Sequence, residues 1–481
     1  MDTEFKNKTI AVVGLARSGL ACCRVLTALG AMVIPWDSKP ADQMADALAE
    51  LAALGLTPIV GGAPLDYREL DYVVTSPGVR RDAPILLNAV AAGVPVLGEI
   101  EAAYRIARAP TLAITGTNGK TTTTLLLGEM LKAAGWETYI AGNIAAGDIA
   151  LPLIEAAYAA PPDAAIVAEI SSFQLEWIST FRPKVAALLN ISPDHGDRQT
   201  WEEYVAAKWR IFENFLDEDA VLHHSLYSKA EYGSYLDQAS ATWWDFGSDG
   251  PDNCSAWHDE AALYVAGRVE QTNWLNQSPE ICKLSAVKLL GEHNLENILA
   301  AAAMATAFGV GIEPIRQVAT TFTGVVHRLE YVETIDGVKY VNNSMCTNAA
   351  AFGKSLEALP EPKVVIAGGV FKGGTLDTVA DAVVRNNIKA LVLIGRSAPE
   401  IEAAARAAGY DRVHRAGTLA DAVTTAAGLA GPGETVLLAP ACASFDMFRD
   451  FEDRGEQFKA AVRSRNPSRS FLAPSPVREG Q

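Results

Sequence analysis

The segment from Leu112 to Thr122 constrains the fold of this chain more than any other part of the sequence. An apolar run, Leu112-Ala-Ile-Thr115, leads into the glycine-rich stretch Gly116-Thr-Asn-Gly-Lys-Thr-Thr122, and a helical pattern begins near Lys120. A strand, a glycine-rich loop and a helix in this order favour an anion, because glycines let it approach the backbone amides at the helix N-terminus. The segment therefore predicts an α/β domain whose loop binds the phosphates of a nucleoside triphosphate.

The side chains of this loop indicate how the phosphates would be held. Lys120 can neutralise the charge of the β- and γ-phosphates, and the hydroxyl of Thr121 can ligate Mg²⁺. Ile114 stands where the strict pattern has its first glycine, so the loop is shorter and begins at Gly116. The predicted nucleotide-contacting residues of the loop are Gly116, Thr117, Asn118, Gly119, Lys120, Thr121 and Thr122.

Strand and helix patterns divide the chain into three α/β segments. The first alternates apolar strands such as Thr9–Val13 with Ala-rich helical stretches, which predicts a Rossmann-like parallel sheet. The second holds the glycine-rich loop and is predicted to be a central P-loop ATPase-like α/β domain. The third opens with a hairpin around Asp336-Gly337 and returns to alternating strands and helices, a second Rossmann-like α/β domain. The predicted boundaries are residues 1–109, 110–323, 324–464 and, for a disordered Pro/Ser/Arg-rich tail, 465–481.

Charge and composition exclude several classes of partner. The chain has 40 basic and 57 acidic residues and a net charge of −17, which argues against nucleic acid or an anionic membrane as the main partner. Residues Met1 to Lys8 are polar, without the apolar core of a signal peptide, and no apolar run is long enough to span a bilayer. The 6 cysteines are scattered without a zinc or disulfide pattern. We therefore expect a cytoplasmic protein.

Two stretches that follow strand patterns carry candidate metal ligands. Glu169 ends the apolar run Ala165-Ile-Val-Ala-Glu169, and Asp194-His195-Gly-Asp197 follows the run from Val185 to Leu189. Side chains at the carboxyl ends of parallel strands face the ligand crevice, so Glu169 can hold Mg²⁺ opposite Thr121. His195 can ligate a second cation or contact a substrate carboxylate, although such a turn taken alone is also typical of a plain surface loop.

A lysine and a second glycine-rich turn leave alternatives open. Lys208 lies among apolar helix positions, where it is either an exposed lysine with a buried stem or a buried, nucleophilic amine. The turn from Gly14 to Gly19 resembles a dinucleotide-binding fingerprint, but Ala16 replaces the second glycine and hinders close approach of a pyrophosphate. This substitution disfavours an NAD-dependent dehydrogenase.

Several motifs taken together resemble the Mur ligases, which build the peptide stem of peptidoglycan. The resemblance covers nearly the whole chain and implies an ATP-dependent, ADP-forming ligase that works through an acyl phosphate. Two of the stretches favour the branch that adds D-glutamate to UDP-N-acetylmuramoyl-L-alanine: the one from Ser171 to Glu176 and the one from Pro440 to Ser444. The motifs are Thr115-Gly-Thr-Asn-Gly-Lys-Thr, Glu169-Ile-Ser-Ser-Phe-Gln-Leu-Glu, Asn190-Ile-Ser-Pro-Asp-His-Gly-Asp-Arg, Ala206-Ala-Lys-Trp-Arg, Gly291-Glu-His-Asn-Leu-Glu-Asn, Val326-His-Arg and Pro440-Ala-Cys-Ala-Ser-Phe-Asp.

The resemblance also implies roles for individual residues, with ATP and two Mg²⁺ ions as cofactors. Lys120 and Thr121 would bind the ATP phosphates and Mg²⁺, Glu169 would complete the first metal site, and His195 would ligate the second ion. Lys208 would be carboxylated by CO₂. Asn294 and Asn297 would contact the adenine region, Arg328 the γ-phosphate and Asn343 a ribose hydroxyl.

The remaining implied residues bind UDP-N-acetylmuramoyl-L-alanine and glutamate, and we expect a monomer. For the UDP-sugar they are Ala16, Arg17, Ser18, Asp37, Ser38, Gly78 and Asn143, with Ser171, Gln174 and His195 lining the central cleft. For glutamate they are Thr347, Lys372, Ser444 and Phe451.

The chain departs from the family at Asn343 and Met345, where many relatives have Asp and Lys. The loss of both charges leaves the identity of the added amino acid open, so L-glutamate or another acidic amino acid is the nearest alternative. A P-loop phosphotransferase that needs no amino acid, and an ATP-binding regulatory homologue without catalysis, are alternatives from other classes.

Overall fold

The computed structural model describes residues 4–144, 151–192, 199–248, 250, 254–266, 280–289, 291, 293–324, 326–359, 361–371 and 376–466. The chain forms two compact units: Met1–Val287 with Glu292–Thr321, and Lys288–Gly291 with Phe322–Gln481. The strands lie in three sheets, two in the first unit and one in the second. Among the described residues, no helix combines the length and the apolar character that a membrane crossing requires.

The first sheet has four strands in the order β2-β1-β3-β4, all parallel. Alternate residues of β1 pack into two different apolar clusters, Ile10 and Val12 into one and Ala11 and Val13 into the other, so both faces of the sheet are buried at this strand. The strands are β1 Thr9–Val13, β2 Met32–Trp36, β3 Tyr72–Thr75 and β4 Val96–Gly98, and the helices are α1 Arg17–Ala28, α2 Ala45–Ala53, α3 Pro84–Ala91 and α4 Glu99–Ile106.

The second sheet has nine strands in the order β13-β12-β11-β10-β9-β8-β5-β7-β6. It is parallel from β6 through β11 and antiparallel at β12 and β13. The strands are β5 Thr111–Thr115, β6 Thr138–Gly142, β7 Ala165–Glu169, β8 Val185–Leu188, β9 Leu216–His223, β10 Ser240–Gly247, β11 Ala256–His258, β12 Ala262–Val265 and β13 Glu280–Lys283. The helices are α5 Lys120–Ala133, α6 Leu153–Ala159, α7 Ser172–Leu175, α8 Trp201–Trp209, α9 His224–Tyr227, α10 Gly233–Gln238, α11 His293–Ala307 and α12 Ile312–Thr321.

The third sheet has six strands in the order β14-β15-β19-β16-β17-β18, parallel except for the hairpin of β14 and β15. Asp336 and Gly337 form the turn of this hairpin with φ of 52° and 77°, as the predicted two-residue turn requires. The strands are β14 Glu330–Ile335, β15 Val338–Asn342, β16 Lys363–Gly368, β17 Ile388–Ile394, β18 Val413–Arg415 and β19 Thr435–Leu438, and the helices are α13 Ala349–Glu357, α14 Asp377–Arg385, α15 Ala398–Ala407, α16 Leu419–Leu429 and α17 Phe451–Arg463.

The predicted three-part α/β fold is confirmed, while the predicted domain boundaries stay a prediction. The first two sheets belong to one unit because they share a hydrophobic core, in which Val12 of β1 and Ala113 of β5 both take part. A buried polar contact adds to this packing, since the carboxylate of Glu99 accepts a 2.8 Å hydrogen bond from the N–H of Ile154. Residues 467–481 of the predicted tail lie outside the described residues.

Candidate active site

The glycine-rich loop joins β5 to α5, as the sequence predicts. Gly119 has φ of 82°, a conformation that favours glycine. A Cβ atom at this position would lie 2.2 Å from Oδ1 of Asn297, so no other residue fits here without displacing that side chain. Helix α5 begins at Lys120, and the N–H groups of its first turn therefore lie beside the loop at the positive end of the helix dipole. This arrangement suits an anion.

Side chains from two other elements hold the loop in shape. Asn190, which follows β8, accepts hydrogen bonds at Oδ1 from the N–H groups of Thr117 and Asn118, at 3.2 and 2.8 Å. Its Nδ2 donates to the carbonyl oxygen of Asn118 at 3.1 Å. The hydroxyl of Thr117 lies 2.9 Å from the hydroxyl of Tyr204 on α8. These hydrogen bonds fix the conformation of the loop.

Glu169 lies at the same edge of the sheet as the loop. Strands β5 and β7 are parallel neighbours that pair Ile114 with Glu169, so both end at this edge. The hydroxyl of Thr121 donates a 2.7 Å hydrogen bond to Oε2 of Glu169, and Nδ2 of Asn143 lies 3.4 Å from Oε1. A hydroxyl and a carboxylate that is only 3% exposed form a set of hard oxygen ligands, which fits Mg²⁺.

Two lysines donate to one carbonyl oxygen of the loop. Nζ of Lys120 lies 2.9 Å from the carbonyl oxygens of Gly116 and Thr117, and Nζ of Lys208 lies 2.8 Å from that of Gly116. Lys208 is 2% exposed, and its ammonium lies 4.5 Å from the ring centroid of Tyr204. Of the two predicted environments for Lys208, the structure therefore has the buried one, against the back of the loop.

The predicted adenine-contacting residues lie on α11, which packs against α5. Asn294 and Asn297 are both buried, and Nδ2 of Asn297 donates to Oδ1 of Asn294 at 2.8 Å. The hydroxyl of Thr123 lies 3.3 Å from Oδ1 of Asn297. The pair is therefore close to the loop, next to Gly119.

A cavity of about 1400 Å³ lies at the carboxyl edge of the first sheet. Asp37 follows β2 and orients two of the surrounding segments, because its carboxylate accepts hydrogen bonds from the N–H groups of Leu15 and Lys39 at 2.8 and 2.9 Å. Arg17 and Ser18, both described, lie outside the cavity lining, and Arg17 instead donates to the carbonyl oxygen of Ile144 at 3.3 Å. Four of the predicted UDP-sugar residues line the cavity: Ala16, Asp37, Ser38 and Gly78.

Ser171 and Gln174 form a capping box at the N-terminus of α7. Oε1 of Gln174 accepts hydrogen bonds from the N–H and the hydroxyl of Ser171, at 2.9 and 3.0 Å. Behind them, burial raises the pKa of Glu99 to about 7, although hydrogen bonds from Ile154 and Gln174 act in the opposite direction. Gln174 is thus held from two sides.

Three family models match the chain in the order of its three sheets. The MurD-like N-terminal domain of Mur ligases matches residues 8–98, the Mur ligase middle domain matches residues 114–305, and the glutamate ligase domain of Mur ligases matches residues 327–442. The chain belongs to the Mur ligase family. The family resemblance that the motifs carry is confirmed.

Individual Mur ligases are similar over nearly their full length. The UDP-N-acetylmuramoylalanine–D-glutamate ligase of Caldanaerobacter subterraneus subsp. tengcongensis is 41% identical over 463 residues, which cover 95% of this chain and 99% of that protein. The ligase of the same name from Thermoanaerobacter sp. is 42% identical over 464 residues, again 95% and 99% of the two chains. The solved structure of the UDP-N-acetylmuramate–alanine ligase MurC from Thermotoga maritima shares the fold, with a TM-score of 0.52 and 19% identity over 95% of this chain and 99% of that one.

In the second unit of this Mur ligase, a buried arginine organises two loops. Nε and one terminal nitrogen of Arg454 donate to Oγ and to the carbonyl oxygen of Ser344, both at 2.9 Å, and the other terminal nitrogen donates to the carbonyl oxygen of Cys442 at 3.1 Å. The hydroxyl of Ser344 donates in turn to the carbonyl oxygen of Phe451 at 2.7 Å. These bonds fix the segments that carry the predicted glutamate-binding residues Thr347, Ser444 and Phe451.

Arg328 and Asn343 lie close together in the same unit. Arg328 is exposed and stands between His327 and Leu329, whose φ values of 65° and 44° are positive. Asn343 is buried, and its side chain accepts from the N–H of Leu329 at 3.2 Å and donates to Oγ of Ser355 at 2.6 Å. The predicted ribose contact of Asn343 stays a prediction, and its hydrogen bonds here stabilise the turn that presents Arg328.

Two predicted residues, His195 and Lys372, lie outside the described residues. The sequence interpretation missed the supporting roles of Asn190, Tyr204 and Arg454. Asn190 could have been found from its position after a strand, at the same edge as Glu169. Tyr204 precedes Lys208 by one helical turn, which places both on one face of α8. Arg454 offered no such signal.

Proposed function

We propose that this Mur ligase joins D-glutamate to UDP-N-acetylmuramoyl-L-alanine with hydrolysis of ATP to ADP and phosphate, in peptidoglycan precursor synthesis. The observation that carries this proposal is 41% identity over 95% of the chain to a ligase of that name. The shaped phosphate loop and the paired Thr121 and Glu169 support it, because an amide-forming ligase needs a nucleotide site at which the γ-phosphoryl group is transferred.

The reaction needs ATP because a carboxylate has no adequate leaving group for attack by an amine. Transfer of the γ-phosphoryl group forms a bond from phosphorus to a carboxylate oxygen of the substrate and breaks the bond to the β-phosphate. The amine of D-glutamate then attacks the carbonyl carbon, and phosphate leaves as the tetrahedral intermediate collapses to the amide. Positioning and charge neutralisation supply most of the rate enhancement in such transfers.

In this proposal, Lys120 and the N–H groups of the first turn of α5 bind the β- and γ-phosphates. Thr121 and Glu169 hold one Mg²⁺, and His195 holds a second. A bound Mg²⁺ would neutralise charge on the phosphate oxygens. Arg328 adds a cation at the γ-phosphate, and Asn294, Asn297 and Asn343 take the nucleoside.

The two substrates are assigned to different sets of residues. The 1400 Å³ cavity next to Asp37 is the proposed site of the UDP-sugar, with Asn143, Ser171 and Gln174 leading toward Glu169. Lys208 is proposed to be carboxylated by CO₂, which would turn its cation into a carboxylate able to order a water molecule at the metal. D-glutamate is assigned to Thr347, Lys372, Ser444 and Phe451, because a cation such as Lys372 suits an acidic side chain. A monomer in the cytoplasm stays the expectation.

A panel of amino acids, tested with ATP, Mg²⁺ and UDP-N-acetylmuramoyl-L-alanine, distinguishes this function from its alternatives. We expect phosphate release that depends on D-glutamate and a product with the mass of the glutamyl adduct. Release with L-glutamate or another acid instead would redirect the substrate assignment, as the uncharged Asn343 and Met345 allow. Release without any amino acid would indicate a phosphotransferase, and nucleotide binding without turnover a regulatory homologue. Lys120→Ala serves as the inactive control.

A further inference from the structure

Three residues of different chemistry meet at one end of strands β9 and β10. His224 is the first residue after β9, Asp245 lies in β10 beside it, and Cys254 stands two residues before β11. Strands β9, β10 and β11 are parallel neighbours, and the register pairs Leu222 with Asp245. The sheet therefore brings together residues that the sequence keeps apart.

The potential ligand atoms of these residues are close enough to share one ion. Nδ1 or Nε2 of His224, a carboxylate oxygen of Asp245 and Sγ of Cys254 all lie within 4.8 Å of one another. Nδ1 of His224 and Oδ2 of Asp245 are 3.0 Å apart. Ligands of a tetrahedral zinc ion, bound at roughly 2.0–2.3 Å, are separated by similar distances, so only a small adjustment is required.

The surroundings of Asp245 are those of a metal ligand. Its Oδ1 accepts hydrogen bonds from the N–H and the hydroxyl of Ser255, at 3.1 and 3.4 Å, which orient the carboxylate and direct Oδ2 toward His224. Ligating carboxylates are commonly fixed in this way by an outer hydrogen bond. Cys254 is 5% exposed, whereas the side chains of His224 and Asp245 are 21% and 19% exposed. An ion could therefore enter from one side and still be shielded.

We propose that His224, Asp245 and Cys254 bind one transition-metal ion of the zinc class, at a site separate from the magnesium site proposed at Thr121 and Glu169. An imidazole nitrogen, a carboxylate oxygen and a thiolate sulfur form a ligand set that suits Zn²⁺ and not Mg²⁺ or Ca²⁺. Cys254 binds as the thiolate, so binding releases its proton. Three protein ligands leave a fourth position for water. The simpler reading is a His–Asp hydrogen bond beside a buried thiol.

The first test uses Co²⁺ as a spectroscopic probe on the full-length protein, reduced and freed of metal, in the presence of excess Mg²⁺. We expect one Co²⁺ per chain, with an absorption band of thiolate-to-cobalt charge transfer and visible bands typical of tetrahedral coordination. Zn²⁺ should displace the cobalt, abolish the bands and raise the thermal unfolding temperature, because an ion that binds only the folded state stabilises it.

Matched variants identify the ligands. Cys254→Ala should abolish the charge-transfer band, while Cys282→Ala, which removes another buried cysteine of the same sheet, should leave it unchanged. Asp245→Asn keeps an acceptor for Ser255 and should weaken Zn²⁺ binding by at least about tenfold, which covers the case that a Cys254 variant misfolds. Absence of a thiolate band in the unmodified protein, or equal bands in Cys254→Ala and the control, would overturn the proposal.

Discussion

The hydroxyl of Thr121 and the carboxylate of Glu169 are joined by a 2.7 Å hydrogen bond at the carboxyl edge of the central sheet. One belongs to the first turn of the helix after the phosphate loop, and the other is the last residue of β7. Their separation along the chain is large, but the parallel pairing of β5 and β7 makes them neighbours. A cation bound between them would also be next to the phosphates.

This relationship predicts a specific effect of removing the charge of Glu169. Glu169→Gln keeps a hydrogen-bonding group opposite Thr121 but should raise the Mg²⁺ concentration for half-maximal activity and lower kcat by about 10²–10³-fold. Titration of activity with Mg²⁺ measures both. The control is Glu137→Gln, which changes an exposed acid immediately before strand β6. A Mg²⁺ profile of Glu169→Gln that matches the control would refute the assignment.

The two lysines beside the phosphate loop lead to a second prediction. The ammonium groups of Lys208 and Lys120 both donate to the carbonyl oxygen of Gly116. Two like charges at one acceptor repel each other, whereas a carbamate on Lys208 would convert the repulsion into attraction. Lys208→Arg keeps the positive charge and cannot be carboxylated, so it should lose at least about 10²-fold in kcat.

Carboxylation can also be observed directly. In the protein without substitutions, ¹³C-bicarbonate should give a carbamate signal in the NMR spectrum. The signal should be absent from Lys208→Arg and present in the control Lys184→Arg, which changes an exposed lysine. Near-normal activity of Lys208→Arg would show that a cation, and not a carbamate, is what the site needs.

Glu99 predicts a pH dependence of stability. Burial raises its pKa to about 7, above the ordinary carboxyl value of 4.5, so between these pH values the folded state retains a proton that the unfolded state has released. Stability from this group is therefore complete below about pH 4.5 and is lost as the pH rises to about 7. Glu99→Gln should stabilise the protein at pH 8 by on the order of 3 kcal/mol, with little effect at pH 4.5. Thermal unfolding of both proteins across this range measures the difference.

Glu101, two residues further along α4, provides a comparison of opposite sign. Burial acts to raise its pKa, but hydrogen bonds from Ser179, Thr180 and Arg105 outweigh it and hold the pKa at about 2. The contribution of Glu101 to stability is therefore present above the pKa that this carboxyl has in the unfolded chain. It is lost as the pH falls through about 2, the pKa in the folded protein. Glu101→Gln should accordingly destabilise the protein at pH 7. If both variants shift stability in the same direction, the electrostatic explanation is wrong.

Replacing Arg454 should raise the KM for glutamate more than the KM for the UDP-sugar. Arg454→Met leaves the oxygens of Ser344 and Cys442 buried without this donor, which should lower stability by about 1–3 kcal/mol. Because the same bonds fix the segments that carry Thr347 and Ser444, the KM for glutamate should rise about tenfold or more, one factor of ten per 1.4 kcal/mol lost. The KM for the UDP-sugar should change little.

The control for this variant is Arg463→Met, an exposed position in the last turn of the same helix. Arg454→Lys should recover part of the stability, because an ammonium can satisfy only some of the acceptors. Equal changes in both KM values would indicate general unfolding instead of a positioning role.

Much of the fold could be predicted because apolar runs mark buried parallel strands. The predicted strand Thr9–Val13 matches the structure residue for residue. Strand β9 was missed because it opens with Leu216-Asp-Glu-Asp, and its membership in the sheet depends on pairing with β8 and β10. Helix α8 ends at Trp209. Next to this end, the guanidinium of Arg210 donates to the carbonyl oxygens of the last residue of α7 and of two residues that follow it, a tertiary contact that local patterns do not reveal.

The candidate site could likewise be predicted from the sequence only in part. Thr121 and Glu169 could be paired in advance, because the carboxyl ends of parallel strands share one edge. The contact of Lys208 with Gly116 could not, since it depends on how α8 packs against the loop. The spacing of His224, Asp245 and Cys254 matches no metal-binding motif, and only the register of β9 with β10 brings them together.

The ammonium of Lys120 donates to two carbonyl oxygens of its own loop. A nucleotide that binds Lys120 would replace these carbonyl oxygens with phosphate oxygens. The affinity for the nucleotide would therefore depend on how much stronger the new hydrogen bonds are than the ones they replace. In the proposed function, a triphosphate would offer more oxygens than a single small anion to replace these two bonds, so we expect the loop to favour the longer ligand.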